Sequence, residues 1–376
     1  MSSILLSSAV RSSLYSLQQT NDLLSTTQNR LATGKKVNSA NDNPTVFFAA
    51  SALSNRAADL DNVFDGVVAA SKVLQSTSES LSAIRDLVSA AQSTARNALA
   101  STATTARTTG TVSGLAGTSS FAVVAARTIT VNDGTTTATI TSAGAVTTQQ
   151  IIDGVNNTAN LKVKASLTAD GKLQLEATTA NAITIGGTIT APELTQFGLT
   201  AGVTAAGTLN TVRSALAAQF DSIRSQIDQL ATDATFNGTN LLNGGSLRIN
   251  FNEKSTSSLS VAGVTNTAAG LGIAASAGTF QTDKDINDAL TSLGAGLNTL
   301  RTQASVFASN ANIVTIRQDF TKSMISALNA ASDSLTAADT NEEGANILAL
   351  QTRQSLSSTA LTMAAQADQT VLRMFR

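Results

Sequence analysis

The sequence predicts a mainly α protein: a long helical rod and coiled-coil-like terminal helices with a small β-hairpin, plus an inserted α+β domain. Three observations carry this reading. Apolar residues recur at helical spacing near both ends of the chain, and only two prolines occur in 376 residues, where one proline in a helix interior costs about 3 kcal/mol. Between 107 and 207 the texture changes to threonine, glycine and period-two alternation, the signature of strands and turns. The length suggests two or three domains. Hydrophobic residues make up 42% of the chain but aromatics only 3%, and tryptophan is absent. The core must therefore be built from Leu, Val, Ile and Ala.

Residues 4–32 read as one amphipathic helix. Val10, Leu17, Leu24 and Leu31 recur every seven residues, with Leu14, Asn21 and Gln28 four after the first three, a heptad seam with polar residues inside it. ATGKKVNSANDNP (32–44) breaks the pattern. Gly34 suits a C-cap, Asn38 lies in the break, and Asp42 or Asn43 would cap a helix with Pro44 at its first position. That next helix is expected from about 45 to 106, roughly 90 Å at 1.5 Å per residue. TITVNDGTTTATI (128–140) reads as two strands about an Asn-Asp-Gly turn, TTQQIIDGVNN (147–157) as a short helix, and LKVKASLTADGKLQLEA (161–177) as a second hairpin. The expectation for 107–207 is a separate β-β-α-β-β unit. Helix returns at 208–234, FNGTNLLNG (236–244) is a turn, and SLRINFNEKSTSSLSVAG (246–263) is a hairpin. A third long helix is expected from Asp283, read as its cap, to about 337. The last helix opens after Asp339 or Thr340. In it Leu350, Leu361 and Leu372 are eleven apart, as are Met363 and Met374, an interval that keeps a stripe nearly straight along an untwisted helix.

LATGKKVNSANDNP with the helix behind it, FNGTNLLNG after a helix, and the final ILALQTRQSLSSTALTMAAQADQTVLRMFR together resemble bacterial flagellin. The resemblance covers about 1–106 and 208–376. It implies a self-assembling filament subunit whose paired terminal helices line an inner tube inside a wall of long helices. The organisation it implies is 1–43 for the inner-tube helix and connector, 44–106 for the first rod helix, and 107–207 for an inserted surface domain. Residues 208–282 form a second rod helix and hairpin, 283–338 the C-terminal rod helix, and 339–376 the second inner-tube helix. The implied subunit-interface residues are Val10, Leu14, Leu17, Leu24 and Leu31, then Arg85 and Leu87 within LSAIRDLVSAAQ. From the last helix come Leu350, Leu361, Met363, Leu372 and Phe375. Gly34, Asn38, Asp42 and Pro44 form the connector, and Phe236, Asn237, Gly238, Leu241 and Leu242 the hairpin turn. Ala83 stands where many flagellins sensed by an innate immune receptor carry a basic residue. The insertion departs from the better-known pattern by splitting the first rod helix from the second. NLKVKASLTADGKLQLEATTANAITIGG within it is similar to a motif of flagellin and hook-associated insertions, and a spacer, an adhesive surface, a filament-to-filament contact or a glycan platform are open roles.

Histidine and cysteine are both absent. That excludes imidazole acid–base chemistry, thiol nucleophiles and Cys/His zinc sites, so no enzyme, metal or cofactor is expected. A hydrolase in the insertion would have to rely on carboxylates such as Asp170 with Glu176, read as hairpin surface charge. A net charge of −1 and scattered basic residues argue against nucleic acid, and no apolar run is long enough to span a membrane. No basic region precedes the ILL run as in a cleaved secretion leader, which agrees with the flagellum's own type III export route. The expected partners are copies of the same chain, the export apparatus with its chaperone, and the cap and junction proteins. The nearest alternative is a hook–filament junction protein; a non-flagellar coiled-coil adhesin is a further one. A single buried stripe on a helix pair hardly offsets the entropy of ordering both segments, so the termini are expected to become ordered helices only on polymerisation. Asn21, Gln28, Gln354 and Asp368 weaken such a seam but specify register when paired.

Overall fold

The computed structural model describes residues 8–374. Seven α-helices and eleven short strands occur among the described residues, so the chain is mainly α with an inserted α+β region. Two compact units are present, one drawn from Met1–Val68, Asn250–Ser258 and Thr315–Arg376, the other from Ala69–Ile249 and Leu259–Val314.

In the first unit helix α1 (Ser8–Thr33) packs along α7 (Thr340–Met374). Both helices turn a heptad stripe inward. On α1 it comprises Val10, Ser13, Leu17, Thr20, Leu24 and Thr27; on α7 it comprises Glu343, Ile347, Leu350, Gln354, Ser357, Leu361 and Ala364. Two expectations are corrected here. The second seam position of α1 lies three residues after the first, not four, so Ser13, Thr20 and Thr27 fill it and Leu14, Asn21 and Gln28 fall outside. On α7 the buried period is seven rather than eleven, which moves Met363 to the outer face. Alternating steps of three and four keep a stripe facing one supercoiled partner, whereas an eleven-residue interval suits a straight helix.

The connector is tied at several points. Gly34 takes φ +69°, where any side chain would be strained. The Lys36 amide donates to the Thr336 carbonyl at 2.8 Å and the Ala338 amide to the Gly34 carbonyl at 2.9 Å. Of the two cap candidates, Asn43 caps α2 (Pro44–Ala100) by accepting from the Val46 amide at 3.2 Å. Asp42 instead organises the turn, accepting from the amides of Asn38 and Ser39 at 2.9 Å each. In the same unit the end of α6 (Asp283–Thr336) meets α2: the Ser332 hydroxyl donates to the Ala50 carbonyl at 3.0 Å.

In the second unit α2 buries Leu74, Leu81, Val88 and Ala95, seven apart, with Thr77, Ile84, Ala91 and Ala98 between them. Helix α6 buries Ile286, Leu293, Leu300, Phe307 and Val314, again seven apart, and α5 (Thr211–Asp233) buries Ala217, Phe220, Ile227 and Ala231. Small residues such as Ala91, Ala95 and Ala98 in the α2 stripe suit close helix approach in a core with few aromatics.

Helix α2 ends at Ala100 rather than 106. Beyond it the chain is Ser/Thr-rich, and its carbonyls find tertiary donors: the Arg213 guanidinium reaches the Ser101 carbonyl at 2.9 Å and the Asn210 amide the Thr102 carbonyl at 2.7 Å. Asn210 also caps α5 through the Val212 and Arg213 amides.

The segment that follows holds nine strands: β1 (Arg107–Thr109), β2 (Ser120–Ala122), β3 (Thr128–Asn132), β4 (Thr137–Thr141), β5 (Ala145–Thr147), β6 (Val163–Leu167), β7 (Leu173–Ala177), β8 (Ile183–Gly187) and β9 (Gly202–Thr204). The helices α3 (Thr148–Asn156) and α4 (Ala191–Thr195) lie among them. They form antiparallel sheets ordered β4-β3-β8-β9, β1-β7-β6 and β2-β5 around one core that includes Ile129, Ile151, Leu173, Leu175, Ile183 and Phe197. This is richer than the expected β-β-α-β-β pattern. The two anticipated hairpins are β3–β4 and β6–β7, while β1, β2, β5 and β9 are only three residues long. At the β6–β7 turn, a Cβ on Gly171 (φ +69°) would sit 2.8 Å from the Leu115 backbone, so glycine is required twice over.

FNGTNLLNG closes on itself. Phe236 and Thr239 exchange backbone hydrogen bonds at 2.9 and 3.0 Å around Asn237 and Gly238, both at positive φ, the geometry of a tight primed turn. Leu241 and Leu242 are fully buried, and the Asn240 amide caps the end of α5 through the Ala231 and Thr232 carbonyls. The hairpin β10 (Ser246–Asn250) and β11 (Ser258–Ala262) follows.

Candidate assembly surface

Within the first unit the α1–α7 seam is only half closed. Val10, Thr20, Thr27 and Glu343 are buried; Leu17, Leu24, Leu350 and Leu361 are half-buried. Two polar contacts cross it. The Gln354 amide donates to Asn21 Oδ1 at 2.7 Å, and Arg30 meets Glu343 at 3.4 Å. Asn21, anticipated inside the stripe, lies at its flank and is matched there by a seam residue of the other helix.

The outer faces carry exposed apolar side chains among mostly polar ones. Leu14 and Leu31 are about two-fifths exposed, and Met363 is 60% exposed. Sequence reasoning missed Tyr15 (75% exposed), Leu348 and Leu356 (67% each), and Phe48 at the start of α2. The available signal was spacing: Leu348, Leu356 and Met363 are eight and seven apart, one position off the buried stripe. Phe375 lies outside the described residues, as do the side chains of Leu372 and Asp368. In the connector Val37 is buried, while Asn38, Asp42 and Pro44 are exposed. The amides of Ser39 and then Asn38 hold the Asp42 carboxyl below its ordinary range.

In the second unit Arg85 is exposed and Leu87 half-buried on α2, beside Ile84 and Val88 in its core stripe. Phe236 is partly exposed at the tip of its turn.

A charge cluster that sequence reasoning did not find joins the inserted region to the helix ends. Arg213, 1% exposed, pairs with Asp283 at 2.6 Å and donates to the Gln281 carbonyl at 3.0 Å. Arg107 bridges Asp283 at 2.7 Å and also contacts Glu176, and the Asp283 amide donates to Glu176 at 2.8 Å. Two expectations are corrected. Glu176 is 1% exposed and not a surface charge; burial, then the nearby Asp283, pushes its carboxyl up against the pull of Arg107. Asp283 is not the cap of α6. Thr282 is, accepting from the Asp285 amide at 3.2 Å and donating to that carboxylate at 2.7 Å.

Among the described residues no group of His, Cys, Asp and Glu could hold a metal ion, and no helix is long and apolar enough to cross a membrane.

No protein-family model matches the chain. Flagellin FljM and flagellin FljK of Caulobacter vibrioides are each 30% identical to it over 170 residues, 45% of this chain and 62% of theirs. Flagellin FljO of the same organism is 29% identical over 164 residues, 43% of this chain and 60% of its own. The chain thus spans about three-fifths of the length of the curated relatives it matches. Over the matched residues, and in its helix-rich termini and closed FNGTNLLNG turn, the chain is flagellin-like.

Proposed function

We propose that the chain is a non-catalytic structural subunit of the bacterial flagellum that polymerises with its own copies into the swimming filament. In this reading it is exported by the flagellar type III route and acts outside the cell. The export chaperone, cap and junction proteins are its transient partners. Its end helices take their final form on assembly, in the paired arrangement described above.

The observation that supports this most directly is the set of exposed apolar side chains on the outer faces of the α1–α7 pair. Tyr15, Leu348, Leu356 and Met363 all stand more than half exposed beside a seam that already uses Leu17, Leu24, Leu350 and Leu361. Fully covering one large apolar side chain contributes about 1.5–3 kcal/mol. Neighbouring copies laid around the pair would supply that cover on several sides at once.

Electron microscopy of the purified protein after salt-induced polymerisation tests the proposal. Long fibres with a central channel are expected, and Leu348→Ser with Leu356→Ser should abolish them while leaving the second unit folded. Short rings in place of fibres would favour the junction-protein reading. Soluble particles under every polymerising condition would defeat both. Amide exchange adds a second check: fast exchange across 8–33 and 340–374 in the monomer and slow exchange in the polymer.

A further inference from the structure

Strand β7 is buried on both faces. Leu173, Leu175 and Ala177 belong to the core of the inserted region; Gln174 and Glu176 point the other way. Glu176 is occupied by Arg107 and the Asp283 amide. Gln174 is different. It is 5% exposed, and its side-chain amide, which makes no hydrogen bond within the chain, keeps its opening to solvent through the cleft it lines.

Gln174 lines a cleft of about 490 Å3, a size suited to a small ligand. Ile152, Leu167 and Leu99 supply apolar surface there. Gln149 and Ser166 come from the inserted region, and Lys284, Asn287 and Asp288 from the first turns of α6. Ser166 sits directly across from Gln174 in the β6–β7 register. The charges are already matched: Lys284 pairs with Asp288 at 2.6 Å, and Asp283 with Arg213 and Arg107. What remains for a ligand is a set of amides and hydroxyls, with the Gln149 amide nitrogen already donating to Asp153 at 2.8 Å.

We propose that this cleft binds a neutral, hydroxyl-rich ligand, a mono- or disaccharide unit, with the Gln174 amide as its buried anchor. Adjacent sugar hydroxyls donate and accept in the same pattern as the facing amides, and the C–H face of the ring would rest on Ile152 and Leu167. A peptide adding a strand to the sheet is disfavoured, because such docking needs a free strand edge. On β6 that edge is filled: the Asn156 side chain donates to the Ala165 carbonyl at 2.8 Å and accepts from its amide at 3.0 Å. The cleft is lined by residues of one chain, so binding is measured on the unpolymerised chain.

Saturation-transfer NMR on the full chain, with D-glucose, D-galactose and N-acetyl-D-glucosamine in separate samples, tests this. Transfer to at least one sugar is expected, with a dissociation constant on the order of 1 mM. Gln174→Leu should weaken that binding about tenfold, the loss of one good hydrogen bond. Because the amide has no partner within the chain, its loss should leave the melting temperature close to the parent's. Asn287→Ala, on an exposed helix position, should weaken binding without touching the core, and it carries the test if Gln174→Leu does not fold. Asp170→Asn, outside the cleft, should change nothing. The proposal is overturned by no transfer from any of the three sugars or by equal transfer in both cleft variants. Transfer from trialanine but not from the sugars would overturn it too.

Discussion

Arg213 shows how much one side chain can organise. Its guanidinium serves the Ser101 and Gln281 carbonyls and the Asp283 carboxylate, and these belong to the end of α2, the approach to α6 and its first turn. Arg213→Met would fill the space but take this donor from the Ser101 and Gln281 carbonyls and leave Asp283 with Arg107 alone. Removing one partner of a buried pair typically costs about 3–5 kcal/mol; urea unfolding followed by circular dichroism should register a loss of that order, and a change under about 1 kcal/mol would count against the assignment. None of this was legible beforehand. Arg213 and Asp283 are seventy positions apart, and no periodicity marks a charged residue on α5 as buried. Two other carboxylates set the acid limit of the inserted region. Burial pushes Asp133 up, but the amides of Thr136 and Lys162 and the Thr135 hydroxyl outweigh it, taking the group from its ordinary 3.8 to about 2. The Thr190 hydroxyl, the Val124 and Thr190 amides and Arg127 likewise bring Glu193 from 4.5 to about 2. A folded value below the unfolded one stabilises the fold above the unfolded value, and that contribution is lost as pH falls towards the folded one. The β-rich region should therefore weaken as pH drops from about 4.5 towards 2. Asp133→Asn should flatten that dependence when melting temperature is plotted against pH.

The elements were more legible than the contacts between them. Long helices without proline, and a break at Gly34 to Pro44, follow from local chemistry. So do hairpins at Asn132–Asp133–Gly134 and Asp170–Gly171, and the structure holds all of these. Seam register was misjudged, because the seven-residue repeat of Val10, Leu17 and Leu24 is compatible with companions three or four residues later. Only the partner helix decides between them, and α7 selects the threonines. Three-residue strands such as β1 and β9 carry too few side chains to show a period at all. The register of α1 on α7 has one polar marker: Gln354, half-buried in the seam, donates to Asn21. Replacing Gln354 with Leu should strengthen the apolar stripe while leaving Asn21 without its partner. The expected outcome is that fibres still form but vary more in diameter and curvature by electron microscopy, since a polar pair trades stability for register. Fibres as uniform as the parent's would show that the pair carries no register information.

For the molecule as a whole, the decisive local fact is where the inserted region leaves and rejoins the helical chain. The Thr104 hydroxyl donates to the Thr208 carbonyl at 2.7 Å, and the Thr208 amide donates to the Thr104 carbonyl at 2.9 Å. Entry and exit therefore lie side by side, the arrangement in which a domain can be inserted or removed with little strain. The region also buries its own core and does not borrow one. Excision would remove Arg107 and Glu176 together, so neither is left as a buried unpaired charge, while Asp283 keeps Arg213. We therefore expect a chain with 105–207 replaced by a short Gly/Ser linker to retain its helical circular dichroism. Its melting transition should stay cooperative, and, on the proposed function, its polymerisation under salt should match the parent's. It should also lose all saturation transfer from sugars, because Gln149, Ser166 and Gln174 leave with the segment. Loss of the helical signal would mean that the helix ends depend on the region clamped to them and that the inserted segment is not a separable module.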